Sequence, residues 1–564
     1  VGYFAGNDIT TGVQNTLIGG LAGDALTDAD RNVAVGYEAL TADDLGSRTI
    51  AVGTGAAGQQ NYATATDSHN ICIGDLAGFY NVTGIKNTWL GSAAGLGASG
   101  QSNSSNTGIG FNAGASVTTG VENTLIGALA GDALTATNEN TAVGKSALSA
   151  DTLGSRSTAI GQGTLATQNF TTATQTYNTA VGFQAGAAVT TGVQNVLIGG
   201  LAGDALTDAD YNVAIGIEAL SADTLGSGST AIGRNALSTQ NFTTATTTYN
   251  TAVGDRAGLS VTTGIENTLI GGLAGDALSD ADYNVAIGSQ ALSQDTLGSR
   301  SVAVGQSALF TQNFTTATNA YNTAVGMSAG AAVTTGIQNT IIGGLAGDAI
   351  TTASNSTALG YNALSAAQTS GNNTAIGSLA GDSITGANNT AIGYSTNRIT
   401  TTGVQNTLVG ASVHPDSAGG NNCVGMGFNI TAAAGYTTFG IDTSDIRAAH
   451  GTATWAAVSD ERYKKDIVDS TAGLSFINAL KPRTFKYKTL GELPEAFRAY
   501  KADSTEVFKN SDTNHGFIAQ EVKTAIDADS GIKDGFKLWA ERDDGGQELA
   551  EAALIPMLTK AVQE

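Results

Sequence analysis

The sequence predicts a mainly β chain. A parallel β-solenoid of about 17-residue coils fills residues 1–440, a connector spans 441–458, and a small α+β domain occupies 459–564. Three observations carry this. The tetrapeptide VTTG begins at Val117, Val189, Val261 and Val333, a step of 72 residues each time. Within each 72 a finer motif, N-[TV]-[AL]-[IV]-G, recurs with spacing 17, 17, 17, 21. Finally, residues 459–564 hold 15 Lys/Arg and 19 Asp/Glu, whereas the 458 residues before them hold only 10 and 29.

A 17-residue unit is too short for two packed helices and suits one coil of a solenoid with short strands and tight turns. The motif glycines run from Gly19 and Gly36 through Gly410 and Gly425, 24 copies with a possible last one at Gly440. Stacked about 4.8 Å apart, such coils give a rod of roughly 110 Å. In "VAVG" at 33–36, Val33 and Val35 point one way and Ala34 the other, because side chains alternate along a strand. Both faces are apolar. One is expected to fill the coil and the other to pack against symmetry mates.

Every fourth coil is four residues longer, as in "NFTTATQTYN". These insertions place Phe170 and Tyr177, Phe242 and Tyr249, and Phe314 and Tyr321 at the same two offsets, with Tyr62 and His69 in the first copy. Two readings stand: a row of receptor-contact loops that stack on sugar rings, or loops that pack their own aromatics over the roll.

Composition excludes several classes. The net charge of −23 over 564 residues argues against nucleic acid or an anionic membrane as partner. No run of 18 apolar residues exists, so no membrane insertion is expected. Cys72 and Cys423 read as two small buried hydrophobes. The four histidines show no ligand spacing, so neither a metal nor a cofactor is expected. The Asp-rich turns (Asp24, Asp28 and Asp30, repeated at Asp204, Asp208 and Asp210) read as solvated carboxylates, with calcium the alternative. "GTGAAG" at 53–58 and "GLGASG" at 95–100 match a dinucleotide fingerprint only in spelling, because neither opens a helix after a strand. Val1 lies inside a repeat, so further chain is expected before it.

In the last domain, "TAGLSFINAL" (471–480) reads as a helix and "RTFKYK" (483–488) as a strand. "HGFIAQEVKTAID" (515–527) reads as a strand running into a helix. "ELAEAALIPMLTKAVQ" (548–563) shows helical spacing interrupted by Pro556 and suited to self-association.

Two resemblances extend this reading. The repeats are similar to the left-handed parallel β-roll of trimeric autotransporter adhesin heads, which implies a homotrimer. The tail resembles the intramolecular chaperone of phage tail fibres and tailspikes, the peptidase S74 family, through "SDERYKKDI" (459–467), "LKPRTFKY" (480–487), "HGFIAQEV" (515–522) and "LIPMLTKAVQE" (554–564). That resemblance implies a domain that drives trimeric folding and then cuts itself off between Val458 and Ser459. It maps the family's dyad onto Ser459 and Lys464, with Asp460 and Arg462 holding the turn. The implied activity is one self-cleavage, with no turnover on an external substrate. The implied setting is a virion appendage at the host surface, contacting other tail or baseplate proteins and a host surface glycan or protein. The shaft of a polysaccharide-degrading tailspike and a bacterial trimeric adhesin stay open as alternatives.

Overall fold

The computed structural model describes all residues except Thr400, Ala453, Val458, Asp534 and Gly535. The chain divides into two compact units, Val1–Ala457 and Val458–Glu564.

The first unit is a parallel β-solenoid. Its 27-stranded sheet holds 25 parallel strands, from Thr16–Ile18 to Tyr436–Ile441, with mostly one three-residue strand per coil. Two antiparallel strands, Ser444–Ala449 and Ala456–Ala457, continue the sheet through part of the stretch expected as a connector. Each middle strand residue points inward. Ala34, Leu125, Ala214, Leu269 and Ala303 have no exposure at all. Their flanking neighbours, such as Val33 and Val35, stay partly exposed on the outer face. The inward slot is filled by small residues with a Leu at intervals. Where Trp89 takes the slot, the next coil answers with Gly108, whose Cβ would lie 2.3 Å from the indole.

The motif glycine has a strict backbone reason. At Gly199 φ is +137°, and an added Cβ would lie 2.3 Å from the Gly216 carbonyl oxygen of the next coil. No L side chain suits that angle or that gap. Register also corrects one position. Gly427, not Gly425, lies opposite Gly410 and Gly440, while Gly425 sits opposite Leu408 in the inward slot. The coil ending at Gly440 is therefore short.

A buried asparagine precedes most strands and binds the coils to one another. Asn212 Nδ2 donates to the Gly226 carbonyl (2.9 Å), its Oδ1 accepts from the Ser229 N–H (2.9 Å), and its own N–H donates to Asn195 Oδ1 (2.9 Å). Repetition of this pattern satisfies the backbone of a corner that has no strand partner.

Where the ladder carries Thr49, Ser157, Ser229 or Ser301 instead, the following long coil supplies the missing bonds. Gln240 Nε2 reaches both Ser229 Oγ (2.8 Å) and Asp223 Oδ2 (2.5 Å). Asp223 Oδ1 accepts from the Gly226 and Phe242 N–H groups, and Asn250 Nδ2 donates to Gln240 Oε1. Burial pushes the carboxyls of Asp43, Asp151, Asp223 and Asp295 above their ordinary range, opposed in part by the glutamine amide and backbone donors. Two of the turn carboxylates are bonded rather than merely solvated: Asp210 Oδ1 accepts from the Val193 N–H (2.8 Å) and Asp208 from the Thr191 hydroxyl (2.6 Å), whereas Asp204 Oδ1 is buried without a partner among the described residues.

The second unit is α+β. Helices span Leu474–Ala479, Ala519–Ala528 and Ile555–Gln563. Strand Arg483–Phe485 pairs antiparallel with Asn514–Gly516, and Trp539–Glu541 with Gln547–Leu549. Phe476, Val522, Ile526, Leu538 and Leu554 form its core. Pro556 sits in the first turn of the last helix, where its missing N–H costs nothing, so it starts that helix rather than interrupting it.

Candidate active site

Ser459 and Lys464 lie five residues apart, too far to meet in an extended chain. A single 3₁₀ turn, Glu461–Tyr463, folds the chain back between them. Asp460 caps that turn: its Oδ1 accepts from the Arg462 N–H (2.8 Å) and from Arg462 Nε (2.9 Å), and its Oδ2 accepts from the same guanidinium (2.7 Å). The paired charge holds the Asp460 carboxyl below its usual range and raises Arg462. The Lys464 N–H closes the turn on the Glu461 carbonyl at 2.9 Å.

This geometry brings Lys464 Nζ to 2.7 Å from Ser459 Oγ. In the ammonium form the lysine donates across that contact. As a free amine it accepts the Ser459 hydroxyl proton across the same distance, the arrangement an activated serine nucleophile requires. Both residues are exposed. Asp460 and Arg462 do not touch Ser459 Oγ; they shape the turn that presents it. Val458, on the other side of the expected cut, lies outside the described residues.

The other tail motifs meet in the same unit. Arg483, from the second, forms a two-pronged ion pair with Glu521, from the third, at 2.6 and 2.9 Å. That bond pulls the Glu521 carboxyl down. Glu564, from the fourth, accepts the Leu474 N–H through its side chain at 2.7 Å. The last helix leaves Ile555, Leu558 and Val562 exposed at 63%, 45% and 87%.

The structure separates the two aromatics of each long coil. Phe170, Phe242 and Phe314 are each only 6% exposed, and their N–H groups donate to the buried Asp151, Asp223 and Asp295. They pack the loop and are out of reach of a receptor. Tyr177, Tyr249 and Tyr321 stand out at 45%, 65% and 52%. Sequence reasoning missed the buried Asp–Gln pairs. Their signal was the co-occurrence of "DTLGS" and "TQNF", 72 residues apart in three successive copies (151–170, 223–242 and 295–314).

Among the described residues, no helix is long and apolar enough to cross a membrane. No curated protein and no solved structure matches the chain. Residues 459–530 match the family model Peptidase S74, described as chaperone of endosialidase, and the match begins at Ser459 itself. The C-terminal unit thus carries a chaperone-of-endosialidase segment behind a parallel β-solenoid of 25 strands, an arrangement that fits a phage tail fibre with a C-terminal chaperone domain.

Proposed function

We propose that this chain is a homotrimeric phage fibre that attaches to the host surface, and that its C-terminal unit directs trimeric folding and then releases itself between Val458 and Ser459. The 2.7 Å contact between Lys464 Nζ and Ser459 Oγ, at the start of the matched segment, is the observation that carries the reading.

The proposed step is an acyl shift. Ser459 Oγ attacks the Val458 carbonyl carbon and gives its proton to the Lys464 amine. The C–N bond to Ser459 breaks as Lys464 returns that proton to the departing α-amine, leaving an ester. Water then opens the ester to a Val458 carboxylate and a free Ser459 hydroxyl. Lys464 acts in this step as the neutral amine.

Two surfaces support self-assembly. The outer strand positions carry no charged residue in any of the 25 parallel strands, although the whole chain has a net charge of −23. That face mixes Thr with Val, Ile and Leu, and an uncharged, largely β-branched face of that length suits packing against another copy. The exposed Ile555, Leu558 and Val562 form an apolar face of their own. Family likeness points to the trimer as the state both would serve.

On a denaturing gel, wild type should give two bands. Ser459→Ala, Lys464→Ala and Lys464→Arg should each give one full-length band, since an arginine keeps the charge but does not take the proton. Cleavage by the lysine variants refutes the dyad, and sedimentation as a monomer refutes the trimer.

A further inference from the structure

The residue just before each ladder asparagine or serine turns outward at a corner of the solenoid, and these corner residues stack into a rib. From Tyr177 onward the rib reads Tyr177, Gln194, Tyr211, Gly228, Tyr249, Glu266, Tyr283, Arg300, Tyr321. Tyrosine thus recurs at every second coil. Two of the five, Tyr211 and Tyr283, come from the short DADYN turns, and the other three from the long coils. The stacking brings both kinds into one line, which spacing along the chain does not reveal.

The fold does not ask for tyrosine here. All five tyrosines have a left-handed backbone, with φ of 51°, 61°, 50°, 60° and 51°. Glycine and asparagine tolerate that conformation best. The same column uses Asn355, Asn372, Asn388 and Asn422 farther along, at φ 55–61°. The tyrosines are nevertheless exposed, between 38% and 65%. Their rings are steadied along the rib: the Arg300 guanidinium lies 4.5 Å from the Tyr283 ring centre, Arg156 donates to the Tyr177 hydroxyl at 2.6 Å, and the Tyr249 ring lies over Gly228. Exposed hydrogen-bonding groups alternate with the rings at Gln194, Glu266 and Arg300.

We infer that this rib is a binding track for a linear, uncharged, β-linked polysaccharide. Strand spacing of about 4.8 Å puts successive tyrosines about 10 Å apart, and the five span about 38 Å. Two sugars of an extended β-1,4-linked chain advance by about one such interval. Each aromatic face takes the C–H face of a sugar ring, and the residue between takes hydroxyls. With rib acids Glu139 and Glu266 offsetting Arg156 and Arg300, the line favours neither a polyanion nor a polycation. The inference names a ligand class for the attachment role proposed above and rests on that reading.

The test titrates the full chain with cellohexaose, chitohexaose and mannohexaose, with their trisaccharides, and with α-linked maltohexaose, by calorimetry and tyrosine fluorescence. At least one β-linked hexasaccharide, which reaches three rings, should bind about tenfold or more tighter than its trisaccharide, which reaches two. Tyr211→Asn/Tyr283→Asn, which suits the corner backbone, should weaken hexasaccharide binding severalfold, toward that of the trisaccharide, and leave the thermal midpoint unchanged or higher. The inference is overturned by three results: no β-linked hexasaccharide binding at millimolar concentration, equal binding of maltohexaose, or wild-type affinity in the double variant. Saccharide binding with no adsorption of the fibre to cells would instead refute the attachment role and leave the rib standing.

Discussion

Replacing Asn212 by Ala tests whether the asparagine ladder holds the coils together. The substitution removes the donor to the Gly226 carbonyl and the acceptor of the Ser229 N–H, both 2.9 Å bonds inside a fully buried corner. Each stranded buried backbone group costs about 1–3 kcal/mol, so the local loss is about 2–6 kcal/mol if both stay unpaired. The next coil's Ser229 Oγ is already engaged by Gln240 and Thr248, at 2.8 and 2.5 Å, so nothing nearby replaces the lost pair. Because each coil touches only its neighbours, the loss should stay local rather than lower the stability of the whole stack evenly. Native-state hydrogen exchange read by mass spectrometry is the assay. Amides around Ser229 should exchange on the order of 30-fold faster or more, the factor that 2 kcal/mol represents, while amides six or more coils away keep wild-type rates. Unchanged protection at Ser229, or a uniform loss throughout the solenoid, refutes the reasoning.

Two further outcomes follow from the same geometry. Gly199→Ala places a Cβ 2.3 Å from the Gly216 carbonyl at φ +137°, so it should open the sheet between those coils and create a protease-sensitive site there. An intact, protease-resistant variant contradicts the close approach. The buried aspartates set a pH dependence whose direction is unusual for carboxylates. Burial raises their folded-state pKa above the unfolded one, so the folded protein binds protons more tightly between the two values. Their stabilising contribution is therefore fully present below the unfolded pKa and lost as pH rises through the folded one. Thermal midpoints measured against pH should fall across that window in wild type and fall less in Asp223→Asn; an identical slope in both proteins removes Asp223 as the cause.

The rhythm of the solenoid was legible because each coil repeats the same covalent need. The strand must alternate, the corner glycine must clear a carbonyl, and an inward slot must stay small. Ala34, Gly199 and the 72-residue step all state those needs in one dimension. The Ser459–Lys464 pair was legible only through family resemblance, since five-residue spacing alone does not specify the turn that joins them. What stayed hidden depends on stacking. Phe242 looks like Tyr249 in the sequence, but its N–H is held by Asp223 in the coil before, so it faces inward. Tyr211 and Tyr249 are 38 residues apart and belong to different local motifs, and only the 17- and 21-residue coils align them. Gly425 spells the motif as well as Gly427 does, and register alone chooses between them.

The long coils also bear on why such a chain would carry a separate folding unit. In the proposed trimer, neighbouring chains present the same apolar strand face coil after coil, so a slip by one coil preserves nearly every outer contact. It does not preserve the fourth-coil pattern, since a 21-residue coil would then lie beside a 17-residue one. The inserted loops therefore act as register marks. Those of the coils ending at Gly182, Gly254 and Gly326 recur every 72 residues, so a slip of that size rematches neighbouring loops among them, while the first long coil, ending at Gly74 and 108 residues before the next, falls out of step. A step of that size is a discrete competitor, and the repeats alone leave the two alignments close to a tie. A non-repeating unit with its own core around Phe476 and Leu554 breaks it by bringing three chains together at one defined point before the coils stack. Once the coils have stacked, that unit no longer contributes to register, and cutting it away removes the nucleus through which the chains would separate and realign. On this argument a Ser459→Ala fibre should assemble correctly and yet recover its trimer after chemical denaturation, whereas the cleaved wild type should not. Equal recovery of the two by sedimentation would leave the cut without the kinetic role assigned to it here.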